Sequence, residues 1–287
     1  MSLNTPQNSE VVATAGPITL ADLTVHRLGF GAMRVAGPDI WDEPNDRPAM
    51  CRLLRRAIEL GHNFLDTADS YGPEVSESVI AEALYPYPND LVIATKGGLV
   101  RPHRRAWVPD GRPEHLRRAL DGSLKRLRLE RIDLYQLHAP DPNVPFADSV
   151  GALAELQRMG KIRHIGLSNV SVRQLEEARR IVPIVSVQNQ YNVESRYSED
   201  VLKACEQLGI AFIPWYPMGA GSALRARKVA SVAERIGATP SQVAIAWLLV
   251  HSSVMLPIPG TSSMAHLEEN AAAAALKLSL EDFAALG

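Results

Sequence analysis

Cysteine is scarce in this sequence. Cys51 and Cys205 are the only two in 287 residues, and they form neither a CxxC pair nor a metal-ligand spacing. That excludes a disulfide framework and fits a reduced, cytoplasmic setting. Charge of either sign is not in surplus: 30 Lys and Arg against 32 Asp and Glu leave a formal net charge of −2. No overall basicity therefore recruits nucleic acid or another polyanion. Long apolar runs are missing as well. The longest, VAIAWLLV at 243–250, falls far short of the roughly 18 residues a bilayer span needs, so no membrane partner is expected. The opening stretch MSLNTPQNSEVVATAG has no basic region followed by an apolar segment; residues 1–16 read as a flexible leader without an export signal. No linker or low-complexity tract divides the remainder, 17–287, which reads as one domain. A complete GxGxxG is also absent. GFGAMR, after the first apolar run, has two of the glycines and lacks the third, which weakens the case for an open, doubly wound sheet.

What the sequence does contain is a rhythm. Short β-branched runs recur as RLGFGAM, NFLDTAD, LVIATKG, IDLYQLH, HIGLSNV, IVSVQNQ, AFIPWYP and VMLPIPG. Between them lie segments with apolar residues spaced by three and four, among them MCRLLRRAIELG, VGALAELQRMG and VLKACEQLGI. Gly61, Gly160 and Gly209 close such segments, where a helix end calls for a left-handed residue. Strands alternating with helices imply parallel βαβ units. Eight such units in a chain of this length predict a single-domain α/β (β/α)8 TIM barrel.

In that architecture chemistry gathers at the C-terminal ends of the strands. The second run ends in Asp66, with Tyr71 in the loop beyond; the third ends in Lys96, the fourth in His138 and the fifth in Ser168 and Asn169. The sixth ends in Gln188, the seventh in Trp215, and the eighth in Gly260 and Thr261. Taken singly, each has an ordinary explanation: a lysine at a strand end is solvated, a histidine satisfies a core hydrogen bond, Ser-Asn caps a helix. Together an acid, a phenol, an ammonium and an imidazole make a proton-delivery set. Lys96 is the cation expected to lower the Tyr71 pKa, and Asp66 the counter-charge a buried ammonium requires. His138 is placed to donate to a substrate oxygen. Such a set protonates a developing alkoxide, which is half of a carbonyl reduction. The other half is a hydride no side chain can deliver, so a nicotinamide is implied, with Ser168, Asn169 and Gln188 for its carboxamide and Trp215 as a ring to stack on.

The motifs FLDTADSYG, ATKGG, DLYQLHAPD, GKIRHIGLSN, VQNQYN and PIPGTSSMAHLEEN stand in the order seen in the aldo-keto reductases, and the chain resembles that family over about residues 18–285. RLGFGAMRVAGP, EALYPYPNDL and WVPDGRPEHLRRA are most similar to its bacterial pyridoxal reductase and pyridoxine dehydrogenase branch. The resemblance implies a catalytic tetrad of Asp66, Tyr71, Lys96 and His138, with Tyr71 as proton donor to a small carbonyl substrate. It implies NADP(H) as the cofactor, without excluding NAD(H). Cofactor contacts are implied at Gly31, Ala32 and Met33 after the first strand, and at Gln188 and Trp215. Further contacts are implied at Tyr216, Pro217, Met218 and Gly219, at Gly260, Thr261, Ser262 and Ser263, and at His266, Glu269 and Asn270.

The sequence departs from the family pattern where many members hold the adenosine 2′-phosphate with a Lys and an Arg: here those positions are Gly260 and His266. Thr261, Ser262 and Ser263 at a helix N-terminus offer hydroxyls and free N–H groups instead, or serve only as a cap. Tyr216 replaces a serine, and the chain stops soon after LSLEDFAALG, from which an open pocket of loose selectivity is expected. Trp41 and Trp107, in the loops after the first and third strands, are expected to wall the substrate pocket. Arg101, His103, Arg104 and Arg105 either attract an anionic substrate or are solvated. Two other classes stay in view. One is a cofactor-binding regulatory or redox-sensing subunit, as in some relatives, which turnover on simple aldehydes would separate. The other is a metal-dependent hydrolase barrel, disfavoured because His138 alone among eight histidines ends a strand.

Overall fold

The computed structural model describes residues 10–221 and 223–287. Of the expected leader, residues 1–9 lie outside the described residues. Val11–Ala15 is a 3-10 helix whose Val12 is fully buried and donates its N–H to the Leu60 carbonyl at 3.1 Å, so packed structure starts before the expected boundary at 17. The strands are β1 (Pro17–Leu20), β2 (Leu23–His26), β3 (Phe30–Gly31), β4 (Phe64–Asp66), β5 (Val92–Gly97) and β6 (Leu99–Val100). After them come β7 (Val108–Pro109), β8 (Ile132–Leu137), β9 (Ile162–Ser168), β10 (Ile184–Gln188) and β11 (Ala211–Phe212). Seven of these form one parallel sheet in the order β3-β4-β5-β8-β9-β10-β11, while β1/β2 and β6/β7 are separate antiparallel hairpins. Helices follow the sheet strands as the apolar spacing predicts, for example Arg47–Glu59 after β3 and Val75–Leu84 after β4. Gly61, Gly160 and Gly209 all take positive φ at helix ends.

Eight strands are expected and seven are found in the sheet. The eighth run, 254–260, makes one isolated bridge, Met255 to Phe212. It nonetheless hydrogen-bonds to both edges: Leu256 N–H donates to the Phe212 carbonyl at 2.9 Å, and Gly29 N–H donates to the Pro257 carbonyl at 2.9 Å. Pro257 and Pro259 have no N–H to give, so a full ladder cannot form there.

The curled sheet has two faces because side chains alternate along a strand. On β5, Ile93 packs outward in the large cluster shared with the helices, whereas Val92 and Ala94 point inward. Phe64, Leu134, Ala211, Ile213, Leu256 and Ile258 join them, and Leu20, Leu23 and Val25 of the β1/β2 hairpin belong to the same cluster. Two residues further along each inward row the apolar filling stops and polar groups take over: Asp66 after Phe64, Lys96 after Ala94, Gln136 after Leu134. One end of the interior is therefore sealed and apolar, and the other is chemically equipped.

His62, just ahead of β4, is buried with Nδ1 at 3.0 Å from the Leu28 carbonyl and no partner for Nε2. Burial lowers its pKa to about 4. The unfolded chain then binds a proton that the native state refuses, so stability rises with pH across this window: the contribution is complete above about 6.5 and is lost as pH falls towards 4. From that shift the loss is roughly 3 kcal/mol. Urea unfolding at pH 7 and pH 4.5 should show a distinctly shallower decline for His62→Gln than for the parent; equal declines would assign the acid sensitivity to other groups.

Candidate active site

Three neighbouring strands supply the centre of the site. β4 pairs with β5 so that Asp66 lies beside Ala94, and β5 pairs with β8 so that Lys96 lies beside Gln136. The loop beyond β4 is pinned to the same strand ends, with Thr67 N–H on the Ala94 carbonyl at 2.8 Å and Asp69 N–H on that of Lys96 at 3.2 Å. Gly72 then turns the chain at φ 103°; a Cβ there would stand 2.4 Å from the Val75 Cβ, so no other residue fits. That turn returns Tyr71 over the strand ends.

Lys96 Nζ is the hub. It donates to Asp66 Oδ2 at 2.6 Å, to the Thr67 carbonyl at 2.8 Å and to Tyr71 Oη at 3.3 Å, and it is fully buried. The second Asp66 oxygen accepts from Gln136 Nε2 at 3.0 Å and Gln188 Nε2 at 2.8 Å. Burial is the largest influence on Lys96 and disfavours its charge, but attraction from Asp66 and Tyr71 together with their hydrogen bonds outweighs it and raises its pKa. It is a permanent cation. For Tyr71 the balance differs from the sequence expectation: Lys96 does lower its pKa, yet burial outweighs the cation, and the phenol titrates above its ordinary value. At neutral pH Tyr71 is thus a protonated donor beside a fixed positive charge. His138 lies across from it, rings 5.8 Å apart and nearly perpendicular, with Nδ1 at 3.3 Å from Ser70 Oγ. Burial first, and then Lys96, lower its pKa well below the usual imidazole value, so the ring is neutral.

These groups open into a cavity of about 430 Å³. Of the residues expected at the site, Gly31, Met33, Asp66, Tyr71, Trp107 and His138 line it. Ser168, Asn169, Gln188, Trp215, Tyr216, Pro217, Met218 and Gly260 line it too, with Gly221, Leu224 and Ile258 beside them. Asn169 adopts φ 59°, a conformation asparagine tolerates. It gives Nδ2–H to the His138 carbonyl at 2.9 Å while its Oδ1 accepts from Trp215 Nε1 at 3.0 Å. The indole is thereby held at the cavity wall.

Other expected residues lie elsewhere. Ala32 sits behind the wall, its carbonyl accepting from Ser76 Oγ at 2.9 Å. Gly219 N–H donates to the Tyr216 carbonyl at 2.8 Å, just outside the lining. Ser263 caps the helix Met264–Ala272 by accepting from His266 N–H at 3.4 Å, and Thr261 Oγ1 accepts from Ser263 N–H at 3.0 Å. Ser262 and His266 are exposed beside them, Asn270 is buried, and Glu269 accepts from Thr239 Oγ1 at 2.6 Å. Trp41 does not line the cavity; it packs one layer behind, 5.3 Å from the Arg101 guanidinium. Arg101 is buried, Arg104 pairs with Asp39 at 3.8 Å, and His103 and Arg105 are exposed. Besides the apolar lining of Gly221, Leu224 and Ile258, three polar participants were not anticipated. Gln136 is legible as the inward residue two before His138; Arg34, exposed at the cavity mouth, is legible only as a base at a strand end; Ser70 carries no signal beyond its place beside Tyr71.

A parallel α/β sheet with an acid, a phenol, an ammonium and an imidazole converging at its strand ends defines an oxidoreductase of the aldo-keto reductase type. A profile of the Aldo/keto reductase family matches residues 27–287, and the chain belongs to that family. It is 49% identical over its whole length to an uncharacterised oxidoreductase of Schizosaccharomyces pombe, covering 94% of that protein. It is 44% identical to the pyridoxine 4-dehydrogenase of Escherichia coli, over 93% of this chain and 96% of that one. Among solved structures, an aldo-keto reductase from Klebsiella pneumoniae in complex with NADPH matches with a TM-score of 0.79 at 27% identity, over 92% of this chain and 90% of that chain. No helix among the described residues is long and apolar enough to cross a membrane.

Proposed function

We propose that this protein reduces aldehydes or ketones to alcohols with NADPH, and that Asp66, Tyr71, Lys96 and His138 are its catalytic tetrad, carried by the strand ends of a (β/α)8 barrel in which the 254–260 segment completes the wall. The observation that carries the reading is Lys96 Nζ, fully buried, held between Asp66 and Tyr71 Oη, while Asp66, Tyr71 and a neutral His138 face one cavity. The cavity suits a nicotinamide nucleotide: an indole fixed by Asn169 offers a stacking face, and the Ser168, Asn169 and Gln188 side chains next to it bear the amide and hydroxyl groups a carboxamide would pair with. The nucleotide phosphates would lie towards Gly31, Tyr216–Gly219 and the Thr261–Ser263 helix start. When bound, the reduced nicotinamide supplies the hydride.

The chain's own part is to bind the carbonyl oxygen between Tyr71 Oη and His138 and to deliver a proton to it as negative charge develops. Tyr71 arrives protonated, and the tyrosinate it becomes is stabilised by Lys96, whose own charge Asp66 neutralises. Asp66 in turn is oriented by two amides, so the cation cannot swing away from the phenol. A neutral His138 serves as a hydrogen-bond donor rather than a second acid. Pyridoxal is the specific substrate we favour, because a relative 44% identical is a pyridoxine 4-dehydrogenase.

Two measurements test this. A panel of aldehydes including pyridoxal, followed by loss of the reduced nicotinamide's absorbance, should show turnover; none with any member would remove the reading. Titrating NADPH and NADH against the intrinsic tryptophan fluorescence, in the parent and in Trp215→Phe, should show quenching by both that is reduced in the variant. NADPH should bind the tighter, by less than tenfold, because the helix start offers hydroxyls and backbone N–H groups where other members present paired cations. Equal or tighter binding of NADH would overturn the NADP preference.

A further inference from the structure

The hairpin β6/β7 stands over the cavity, and its register, Val100 opposite Val108, makes Arg101 and Trp107 the next positions facing each other at its mouth. The two are in contact: the Arg101 guanidinium carbon is 3.8 Å from the Trp107 ring centroid. Residues 102–105 around the turn are all exposed, yet Arg101 is only 7% exposed. Its guanidinium carbon also lies 5.3 Å from the Trp41 ring centroid. In its plane, Nη1 donates to the Ile40 carbonyl at 3.0 Å and Nη2 donates to the Arg104 carbonyl. A planar cation that lies over two indoles and also hydrogen-bonds edgewise is what a guanidinium can do and an ammonium cannot.

The partner loop is otherwise poorly suited to stay where it is. Asp39, Ile40 and Asp42 all lie at φ between 56° and 59°, a region unfavourable for a β-branched residue such as Ile40. Its ties to the neighbouring loops are Asp42 N–H on the Gly72 carbonyl at 2.7 Å, next to Tyr71, the Arg101 bond to Ile40, and the exposed Asp39–Arg104 pair at 3.8 Å. One buried side chain thus ties the loop after β3, the loop after β4 and the hairpin after β5 into a single wall.

Trp107 is the part of that wall that faces the cavity. It lines the cavity, is 38% exposed, and stands edge-on to Tyr71 at 6.3 Å and to His138 at 6.5 Å. A tryptophan that exposed, on a hairpin tip, keeps one orientation only if something holds it. We propose that Arg101 is a positioning residue that fixes Trp107 as a flat apolar face above Tyr71 and His138, and so sets a preference for planar aromatic aldehydes over small aliphatic ones. The proposal rests on the carbonyl-reductase reading for its substrate, though not for the clamp itself. It also replaces the idea that Arg101 attracts an anionic substrate: the side chain is buried, and both Nη groups are turned to backbone carbonyls.

The test compares benzaldehyde with propanal. Arg101→Met should raise KM for benzaldehyde about tenfold, the worth of one oriented aromatic contact, with kcat changed less than twofold and propanal kinetics unchanged. Arg101→Lys should recover only part of the loss. Trp107→Ala should raise the benzaldehyde KM as much as Arg101→Met does, and the double variant no further, since both remove the same contact. An additive double variant, or an equal rise in KM for propanal, would overturn the proposal. Hydrogen exchange needs no turnover: amides of residues 37–42 should exchange faster in Arg101→Met, and unchanged exchange would refute the clamp. Should the parent reduce neither aldehyde, the reductase reading fails and exchange alone decides the clamp.

Discussion

Tyr71→Phe should lower turnover on a plain aldehyde by about 10² to 10⁴-fold, the usual cost of losing a positioned general acid. The substitution removes one oxygen at the point where Lys96 Nζ reaches Tyr71 at 3.3 Å and leaves the other two partners of the lysine, Asp66 and the Thr67 carbonyl, in place. Its effect on folding should stay near 1 kcal/mol, because no buried charge is left unpaired. Cofactor affinity, read from Trp215, should hardly move, since that ring is braced by Asn169 and not by Tyr71. Turnover within a few-fold of the parent would show that another group delivers the proton.

Asp66→Asn tests a different property of the same cluster. The parent Lys96 keeps its charge in full burial only through Asp66 and the hydrogen bonds around it. Removing that carboxylate leaves burial opposed only by the bonds to the Thr67 carbonyl and Tyr71 and should cost about 3 to 5 kcal/mol of stability. The pH dependence carries the diagnosis. Once the folded lysine pKa drops below the unfolded one, the unfolded chain binds the extra proton, so the variant gains stability as pH rises. The gap to the parent should therefore be widest near neutral pH and narrow towards pH 10, near the titration of a free lysine. Catalysis should fall as well, because the tyrosinate loses its fixed cation. A constant gap across that range would mean that Asp66 acts by packing and hydrogen bonding rather than by charge.

Much of the centre is legible in the sequence. Asp66, Lys96, His138 and Gln188 end β-branched runs, and a period-two strand carries its last inward side chain to a foreseeable end. Gln136 was not anticipated although the same counting reaches it, two residues before His138. The loops are less legible. Tyr71 can be assigned from its nearness to Asp66, but the sign of its pKa shift cannot: sequence shows the cation that lowers it, and only the fold shows the burial that outweighs the cation. Asn169 is expected to meet a carboxamide, and in the structure it braces Trp215. Arg101 reads as a free charge in a basic loop and proves to be buried beside Trp41 and Trp107.

The main alternation of strands and helices, the inward rows and the polar ends that make the site can be read from the chain alone, because strand alternation and helix spacing are local and repeat within a few residues, whereas the β1/β2 and β6/β7 hairpins were not foreseen. Even the incomplete eighth strand follows locally from Pro257 and Pro259, which withhold two N–H donors. Tertiary structure alone decided which charges are buried, how Tyr71 is protonated and what Arg101 does. Those depend on groups brought together across long stretches of chain: Arg101 meets Ile40 and Trp41 some sixty residues away, and desolvation belongs to the assembled surroundings rather than to any neighbour in sequence.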